Sequence, residues 1–488
     1  MPMRRLIAIA ATTTTLGTLG VTATAQAQQA GPARQASRGA DPTVPSGVET
    51  AVSLASCPAG SSPAVAPGPP AAVNVVIQRS STAVAVKLAG DWLTTGSTTF
   101  TVKCSATVTK KSTVTVTAAP PENAAVGVGA DTLQNLTNQF SADYNAILAS
   151  SANSHLYSWD STNPTTGAIG DKIAVKTNCA SIRRPDGSSQ GIEQLVTGQS
   201  TSDRKFDCVN FAPSSRNREF ADPPLGKGGI GFVVLAGDAV TWATPATTDA
   251  PKSLTTAQLA EIYSCSVPGV NGFQPDNWAD LGGKNAPIRP FLPTTAIGAD
   301  QGIETLSFFL AAIGVDTPGP CVSTDNNTLQ DNDGVNPVLN SPAAIYPYSV
   351  GDYIAQRFHS AKCLNSSCMP GSRGVICTPS GTQNTFGCDT HGPMVLKEIN
   401  GVAPTTGTGG KTSINRNFPP TMIDSLADVV PFDPNTADHI PGSESGAPGG
   451  VNLEKIFGAS GWACTSKTAK TDIKNYGFVP LESCGIPT

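Results

Sequence analysis

Between residues 47 and 118 the chain alternates apolar and polar positions in short runs rich in valine and threonine. A period of two in runs of this composition is typical of β-strands with one buried face. Turn residues separate the runs, which cover 73–77, 83–88, 99–108 and 113–117. This pattern predicts a small all-β, immunoglobulin-like sandwich at 47–118. The stretch AAPPENA at 118–124 then predicts a stiff linker.

After Val126 the apolar positions take on helical spacing. Leu133, Leu136, Phe140, Tyr144 and Ile147 would share one face of a helix, with Asp131 or Thr132 as its cap. Further strand-like and helix-like segments alternate along the chain, among them GIGFVVLAGDAV and LTTAQLAEIYS. This alternation of strand-like and helix-like segments predicts α/β layers with mainly parallel strands. The cysteine- and glycine-rich region at about 358–416 is interpreted as an insertion.

The first residues resemble an export signal. Arg4 and Arg5 precede a small-residue apolar stretch, and Ala25–Gln26–Ala27 fits a small-x-small cleavage site. We therefore predict a signal peptide at 1–27 and a disordered tether at 28–46. No later segment is apolar for 18 residues, and the first cysteine, Cys57, lies far beyond the cleavage site. These features predict a secreted protein with neither a transmembrane span nor a lipid-anchor cysteine.

Composition narrows the classes of partner and cofactor. Only 14% of residues are charged and the net charge is −5, which argues against nucleic acid, because phosphate backbones require basic patches. Four histidines offer little for metal catalysis, so we expect neither a metal nor another cofactor.

Twelve cysteines favour an oxidising compartment. Their spacing suggests local disulfides, although connectivity does not follow from sequence. The pairs we predict are Cys57–Cys104, Cys179–Cys208, Cys265–Cys321 and Cys464–Cys484, with two further bridges among Cys363, Cys368, Cys377 and Cys388. The alternative for the last four is zinc ligation, which their spacing disfavours because it contains no two-residue knuckle.

Three small polar loops each follow a predicted strand and open a predicted helix. They are GADT at 129–132, DGSSQG at 186–191 and APSSR at 212–216. A helix start offers unpaired backbone N–H groups and the positive end of the helix dipole, which together favour an anion. Hydroxyl donors and one guanidinium would complete an oxyanion site, contributed by Thr132, Ser188, Ser189, Ser214, Ser215 and Arg216.

The order and the residue sequences of several segments resemble those of the phosphate-type substrate-binding proteins of ABC importers. The form they resemble is the one found in secreted actinobacterial proteins. The segments are GVGADTLQ, RPDGSSQGIEQL, DCVNFAPSSRN, LAGDAVTWAT, LTTAQLAEIYSC and IKNYGFVPL. The resemblance covers about residue 126 to the end. It implies a type II periplasmic-binding fold, in which two α/β lobes joined by crossing strands close over a ligand by a hinge. It also implies an ABC permease as partner.

Carried over by position, the resemblance implies binding lobe 1 at 126–230, binding lobe 2 at 231–345 and a return to lobe 1 at 346–488. The ligand residues that the resemblance implies are Asp131, Thr132, Ser188, Ser189, Ser214 and Ser215. Two departures stand out. No carboxylate follows FAPSS, and Asp300 and Gln301 stand where the family has a Ser-Gly-Thr helix start. A buried Asp300 would repel a bare anion.

The sequence therefore predicts a non-enzymatic, secreted solute-binding protein that captures phosphate or a related oxyanion. One alternative is a surface or matrix interaction protein that uses the two-lobed scaffold without tight ligand binding. A serine esterase is the other, because residues 187–191 fit the G-x-S-x-G pattern and His359, His391 and His439 lie downstream. The esterase is disfavoured because that motif needs an apolar strand directly before it. This chain instead has Arg183–Arg184–Pro185–Asp186 there.

Overall fold

The computed structural model of the chain describes residues 42–70, 73–148, 155–161, 163, 170–197, 208–219, 221–225, 229–265, 276–293, 304–325, 329, 331, 334, 336–359, 391–433, 439–441 and 451–488. Several predictions lie outside these residues: the signal peptide, most of the tether, Asp300, Gln301, and the cluster of Cys363, Cys368, Cys377 and Cys388. None of the helices in these ranges has the length and apolar character needed to cross a membrane.

The amino-terminal runs form seven strands in two sheets, ordered β1-β7-β6-β3 and β2-β5-β4. Their bounds are β1 Thr43–Pro45, β2 Glu49–Pro58, β3 Ala64–Ala66, β4 Val73–Arg79, β5 Ala83–Asp91, β6 Gly96–Lys103 and β7 Thr109–Thr117. Alternate residues of both sheets, such as Val86 and Phe100, are buried in one shared core. The immunoglobulin-like assignment of this module stays a prediction.

The next segment contains the elements that carry the three polar loops. They are β8 Ala125–Gly127, α1 Gln134–Ile147, β9 Leu156–Ser158, β10 Lys172–Ile173, β11 Ile182–Arg183, α2 Ser188–Thr197, β12 Ala212–Ser214 and the long β13 Ile230–Pro245. The apolar face of α1 is buried at Leu136, Phe140 and Tyr144, as its spacing predicted. Ile147 was wrongly placed on that face, because it ends the helix and is 65% exposed.

After β13 the chain forms short strands and helices. They are β14 Ser253–Leu254, α3 Thr256–Ser264, β15 Arg289–Pro290, α4 Glu304–Ile313, β16 Ala344–Ser349, α5 Val350–Ile354 with a π-helical continuation Ala355–His359, β17 Met394–Leu396, β18 Glu398–Ile399, β19 Thr405–Thr406 and β20 Ser413–Ile414. The chain ends with β21 Ile423–Pro431, α6 Glu454–Phe457, α7 Trp462–Thr465, α8 Lys467–Asn475 and β22 Val479–Pro480.

Strands β13 and β21 connect two core regions. They pair antiparallel from Ile230↔Pro431 to Ala239↔Ile423. The first half of β13 contributes Phe232 and Val233 to cores that also contain α1 and α2, which we call the first lobe. Its second half contributes Val240 and Trp242 to a core with α3, α4 and β16, which we call the second lobe. The chain therefore has two α/β lobes joined by crossing strands.

Two expectations about this region differ from the structure. The strands were expected to be mainly parallel, but β13 pairs antiparallel with β16, β17, β21 and β22. A strand that is buried on both faces has a continuous apolar sequence. Such a sequence does not show whether the strand runs parallel or antiparallel to its neighbours. The return to the first lobe was predicted at residue 346. Met394, Phe418 and Met422 pack in the second-lobe core, so the return runs along β21.

The amino-terminal module and the linker contact the first lobe directly. A Cβ on Gly47 would lie 2.6 Å from the ring of Trp159, and Val48 is buried in a first-lobe core. Thr177 donates to the carbonyl of Pro120 from both its backbone N–H and its Oγ1, at 2.8 and 3.0 Å. Linker and module are therefore fixed on the lobe by packing and hydrogen bonds.

Four predicted disulfides are present: Cys57–Cys104, Cys179–Cys208, Cys265–Cys321 and Cys464–Cys484. The first joins the two sheets of the amino-terminal module, because β2 ends at Pro58 and Cys104 follows β6. Bonded cysteines are consistent with an extracellular or otherwise oxidising location.

Candidate functional site

The three polar loops converge in the first lobe because their backbones cross at glycines. A Cβ on Gly129 would lie 2.3 Å from the carbonyl oxygen of Pro213, and one on Gly191 would lie 2.4 Å from that of Val128. The N–H of Ala130 donates to the same Pro213 oxygen at 2.9 Å. Only glycine permits such close backbone approach. The loops 129–132, 186–191 and 212–216 therefore form one continuous surface.

Serine side chains join the second loop to the third. Ser188 Oγ accepts from the N–H of Ser215 at 3.0 Å. Ser214 Oγ accepts from the N–H of Arg216 at 3.2 Å and donates to the carbonyl of Arg216 at 3.0 Å. Thus hydroxyls predicted as ligand donors hold the loop N–H groups in place here.

Arg216 is part of an ion pair. Its Nη1 and Nη2 donate to the two carboxylate oxygens of Asp222, each at 2.7 Å, and its Nε donates to Ser189 Oγ at 2.9 Å. Burial opposes ionisation of Asp222, but the hydrogen bonds and charge of Arg216 hold the pKa of that carboxyl below its ordinary value. The guanidinium is therefore largely neutralised by its bidentate partner.

A second arginine supports the loop that precedes α2. Arg184 is buried, donates from Nη1 to the carbonyl of Asp160 at 2.8 Å, and forms an ion pair with Asp171. Burial raises the pKa of Asp171, but the hydrogen bonds from Arg184 and Asn163 outweigh it and leave that pKa lowered. These contacts explain why Arg183–Arg184–Pro185–Asp186 does not form an apolar strand.

Gln190 is a site residue that the sequence analysis missed. It lies in the first turn of α2, is 8% exposed, and its Oε1 accepts from the N–H of Asp186 at 3.0 Å. Its Nε2 is buried and has no hydrogen-bond partner among the described residues. An unmade bond of a buried amide costs about 1–3 kcal/mol. The available signal was a glutamine between two serines and a glycine at a helix start.

The predicted ligand residues of the first lobe are brought together, and most are inaccessible. Asp131, Thr132, Ser188, Ser214 and Ser215 are all buried, with Ser188 and Ser214 at 0% exposure. The 3-10 turn Asp131–Leu133 precedes α1, and Asp131 Oδ1 accepts from the N–H of Thr132 at 2.8 Å instead of capping the helix. The role of these residues as ligands stays a prediction.

Ser189, the serine of the G-x-S-x-G pattern, is engaged with the third loop, because its Oγ accepts from Arg216 Nε at 2.9 Å. Within the residues that the structure describes, no group of three histidine, cysteine or acidic side chains is arranged to hold a metal ion.

Two carboxyl groups face each other where β13 and β21 cross. Asp238 is opposite Asp424 in the strand register. Asp238 accepts from Ser349 Oγ at 2.5 Å and from the N–H of Gly351 at 2.8 Å, so it caps the start of α5. Burial raises the pKa of Asp238 to about 7 and that of Asp424 to about 6. The connection between the lobes therefore contains a pair of weakly acidic groups.

Two lobes joined by crossing strands, with helix starts converging in one of them, agree with the fold that the sequence resemblance implied. Residues 162–357 match the model of a family described as a PBP superfamily domain. This match supports the resemblance inferred from the sequence. No curated protein matches the chain.

Solved structures similar to this chain include three described as phosphate-binding proteins. A possible phosphate binding protein from Planctomyces limnophilus DSM 3776 is 10% identical, with a TM-score of 0.31, over 75% of this chain and 94% of that one. The periplasmic phosphate-binding protein PfluDING, bound with phosphate, and a human phosphate binding apolipoprotein are each 14% identical. Both have TM-scores of 0.35, over 74% of this chain and 91% of theirs.

Proposed function

We propose that this protein is a solute-binding protein that captures a small oxyanion, phosphate or a close relative, on the first-lobe loops between its two lobes. The observation that carries this proposal is the unpartnered, buried amide Nε2 of Gln190 in the first turn of α2. It adds a directed donor to a helix start, where backbone N–H groups and the helix dipole favour an anion.

Binding would rest on hydrogen bonds more than on net charge. Arg216 is already paired with Asp222, so the guanidinium would position Ser189 rather than neutralise the ligand. The hydroxyls of Ser188 and Ser214 would donate to the anion, Ser214 in place of its bond to the carbonyl of Arg216. Buried donors that are already held in place recognise oxyanions selectively. A ligand that lacks matching acceptor atoms would leave these donors without hydrogen bonds.

Export and delivery belong to the proposal as well. The predicted signal peptide and the disulfides support a secreted protein, and the resemblance supports delivery to an ABC permease. The predicted amino-terminal sandwich, of immunoglobulin-like type, would travel as one body with the first lobe, since the linker is hydrogen-bonded to Thr177.

Isothermal titration with phosphate, sulfate and methylphosphonate tests the proposal through Gln190→Glu. Glutamate keeps the oxygen that accepts from Asp186 but replaces the donor with a negative charge, so affinity should fall at least tenfold. Gln258→Glu is the matched control. Gln258 Oε1 accepts in the same way from the N–H of Thr255 at the start of α3, in the second lobe. Equal affinity of wild type and Gln190→Glu would refute the proposed site.

One observation favours the interaction-scaffold alternative. The N–H groups of Thr132, Ser215 and Arg216 already have side-chain acceptors among the three loops. An anion has to displace these bonds, and this costs part of its binding free energy. A true ligand at 100 times its Kd stabilises by about 2.7 kcal/mol. If no anion in a thermal-shift panel raises the Tm, the scaffold function is favoured.

A further inference from the structure

A cationic and aromatic cluster lies on the helix that follows β16, outside the three loops. Tyr353 belongs to α5 and Arg357 to its π-helical continuation. Arg357 Nη1 donates to Tyr353 Oη at 2.5 Å, and the rings of Tyr353 and His391 lie 4.6 Å apart. Tyr353 therefore joins an arginine and a histidine that are 34 residues apart in sequence.

Two buried nitrogen atoms of this cluster have no hydrogen-bond partner among the residues that the structure describes. They are Arg357 Nε and His391 Nδ1, and His391 is only 7% exposed. Among the ion pairs of the described residues, none involves Arg357. Its charge is accommodated by the rings of Tyr353 and Phe358, 5.7 and 5.3 Å from the guanidinium carbon. A partly buried cation is stabilised by a counter-charge, and the described residues do not supply one to Arg357 by an ion pair.

The local backbone and position support a binding role. A π-helical turn within a helix is rare and is frequently found at functional sites. The continuation contacts α1, and α5 contacts the 3-10 turn Asp131–Leu133. The cluster is therefore carried by the second-lobe element that meets the first lobe near the first polar loop.

We propose that Arg357, His391 and Tyr353 form a second anion-binding site, which takes an oxyanion between Arg357 Nε and His391 Nδ1. The anion would accept from both nitrogens and supply the counter-charge that the guanidinium lacks. This site shares no residue with the three loops, and it stands whether or not those loops bind phosphate.

The imidazole resonances of His391 report directly on this site. Burial, and then the charge of Arg357, lower the pKa of free His391 to about 4. A bound dianion favours the imidazolium, so 50 mM sodium sulfate should raise that pKa by about one unit or more relative to sodium chloride of equal ionic strength. Sulfate keeps its charge across the titration. Two-dimensional imidazole spectra of the four histidines measure the shift, and His391→Gln assigns the signal.

Arg357→Gln should abolish the response of His391 to sulfate, while Arg416→Gln, at an exposed arginine, should leave it intact. Arg357→Lys serves if the glutamine variant does not fold, and it should keep a weakened response. The Gln190→Glu variant should respond like wild type, which separates this site from the first. The proposal is overturned if sulfate leaves the pKa of His391 unchanged, or if the response persists without a cation at 357.

Discussion

A buried carboxyl in the crossing strand β21 gives a quantitative test of the packing described above. Asp428 is fully buried and lies opposite Pro213 and Val233 in the sheet. In the part of the chain that the structure describes, neither of its carboxylate oxygens has a hydrogen-bond partner. Leu426 and Val430, on either side of it, pack in a first-lobe core. Burial raises the pKa of Asp428 to about 7. We therefore expect the neutral acid to be the form that the folded protein prefers.

The direction of the pH effect follows from this raised pKa. Since the folded protein holds the proton more tightly than the unfolded chain, the stabilisation is complete below about pH 4 and is lost as the pH rises to about 7. Each pH unit in this window lowers the free energy of unfolding by about 1.4 kcal/mol. The loss between pH 5 and pH 8 from this one group is therefore about 3 kcal/mol.

Asp428→Asn removes the ionisation with almost no change in volume. The free energy of unfolding of the variant, relative to wild type, should increase by about 3 kcal/mol between pH 5 and pH 8. Urea denaturation at the two pH values measures it, and Asp316→Asn, at an exposed position, is the control. If the difference between variant and wild type stays the same at both pH values, the described burial of Asp428 is wrong.

Two further substitutions test the loop crossing and a disulfide. Gly191→Ala should lower the free energy of unfolding by about 2 kcal/mol or more, because the new Cβ would meet the Val128 carbonyl at 2.4 Å. Gly68→Ala, with nothing within 4 Å of its Cβ, should change it little, and equal effects would contradict the close crossing. Replacing Cys464 and Cys484 by serine should cost about 3 kcal/mol for a bridge with a separation of 20 residues. An unchanged urea midpoint would show that this bridge contributes nothing.

Local features of the fold were visible in the sequence. The helical spacing after Val126 predicted α1 and most of its buried face, and the three polar loops chosen as helix starts do meet in the first lobe. The four disulfides in the described residues followed from short-range cysteine spacing, because partners 20 to 56 residues apart close local loops.

Features set by tertiary contacts were not visible. The direction of β13 depends on its neighbours, and a buried strand gives no alternating pattern from which to infer it. Aspartates are mostly exposed in proteins, so composition gave no reason to expect Asp238 and Asp428 inside. The unpaired amide of Gln190 results from the crossing of three loops, and helix propensity alone predicts nothing special there.

The central claim is that the first-lobe loops bind an oxyanion at the start of α2. Crystals grown with sodium arsenate would test it most directly, because arsenic marks the anion by anomalous scattering. The account predicts an anomalous peak with an arsenate oxygen about 3 Å from Gln190 Nε2, beside the first N–H groups of the helix. A first lobe without such a peak, in crystals whose cleft is open to solvent, would contradict it.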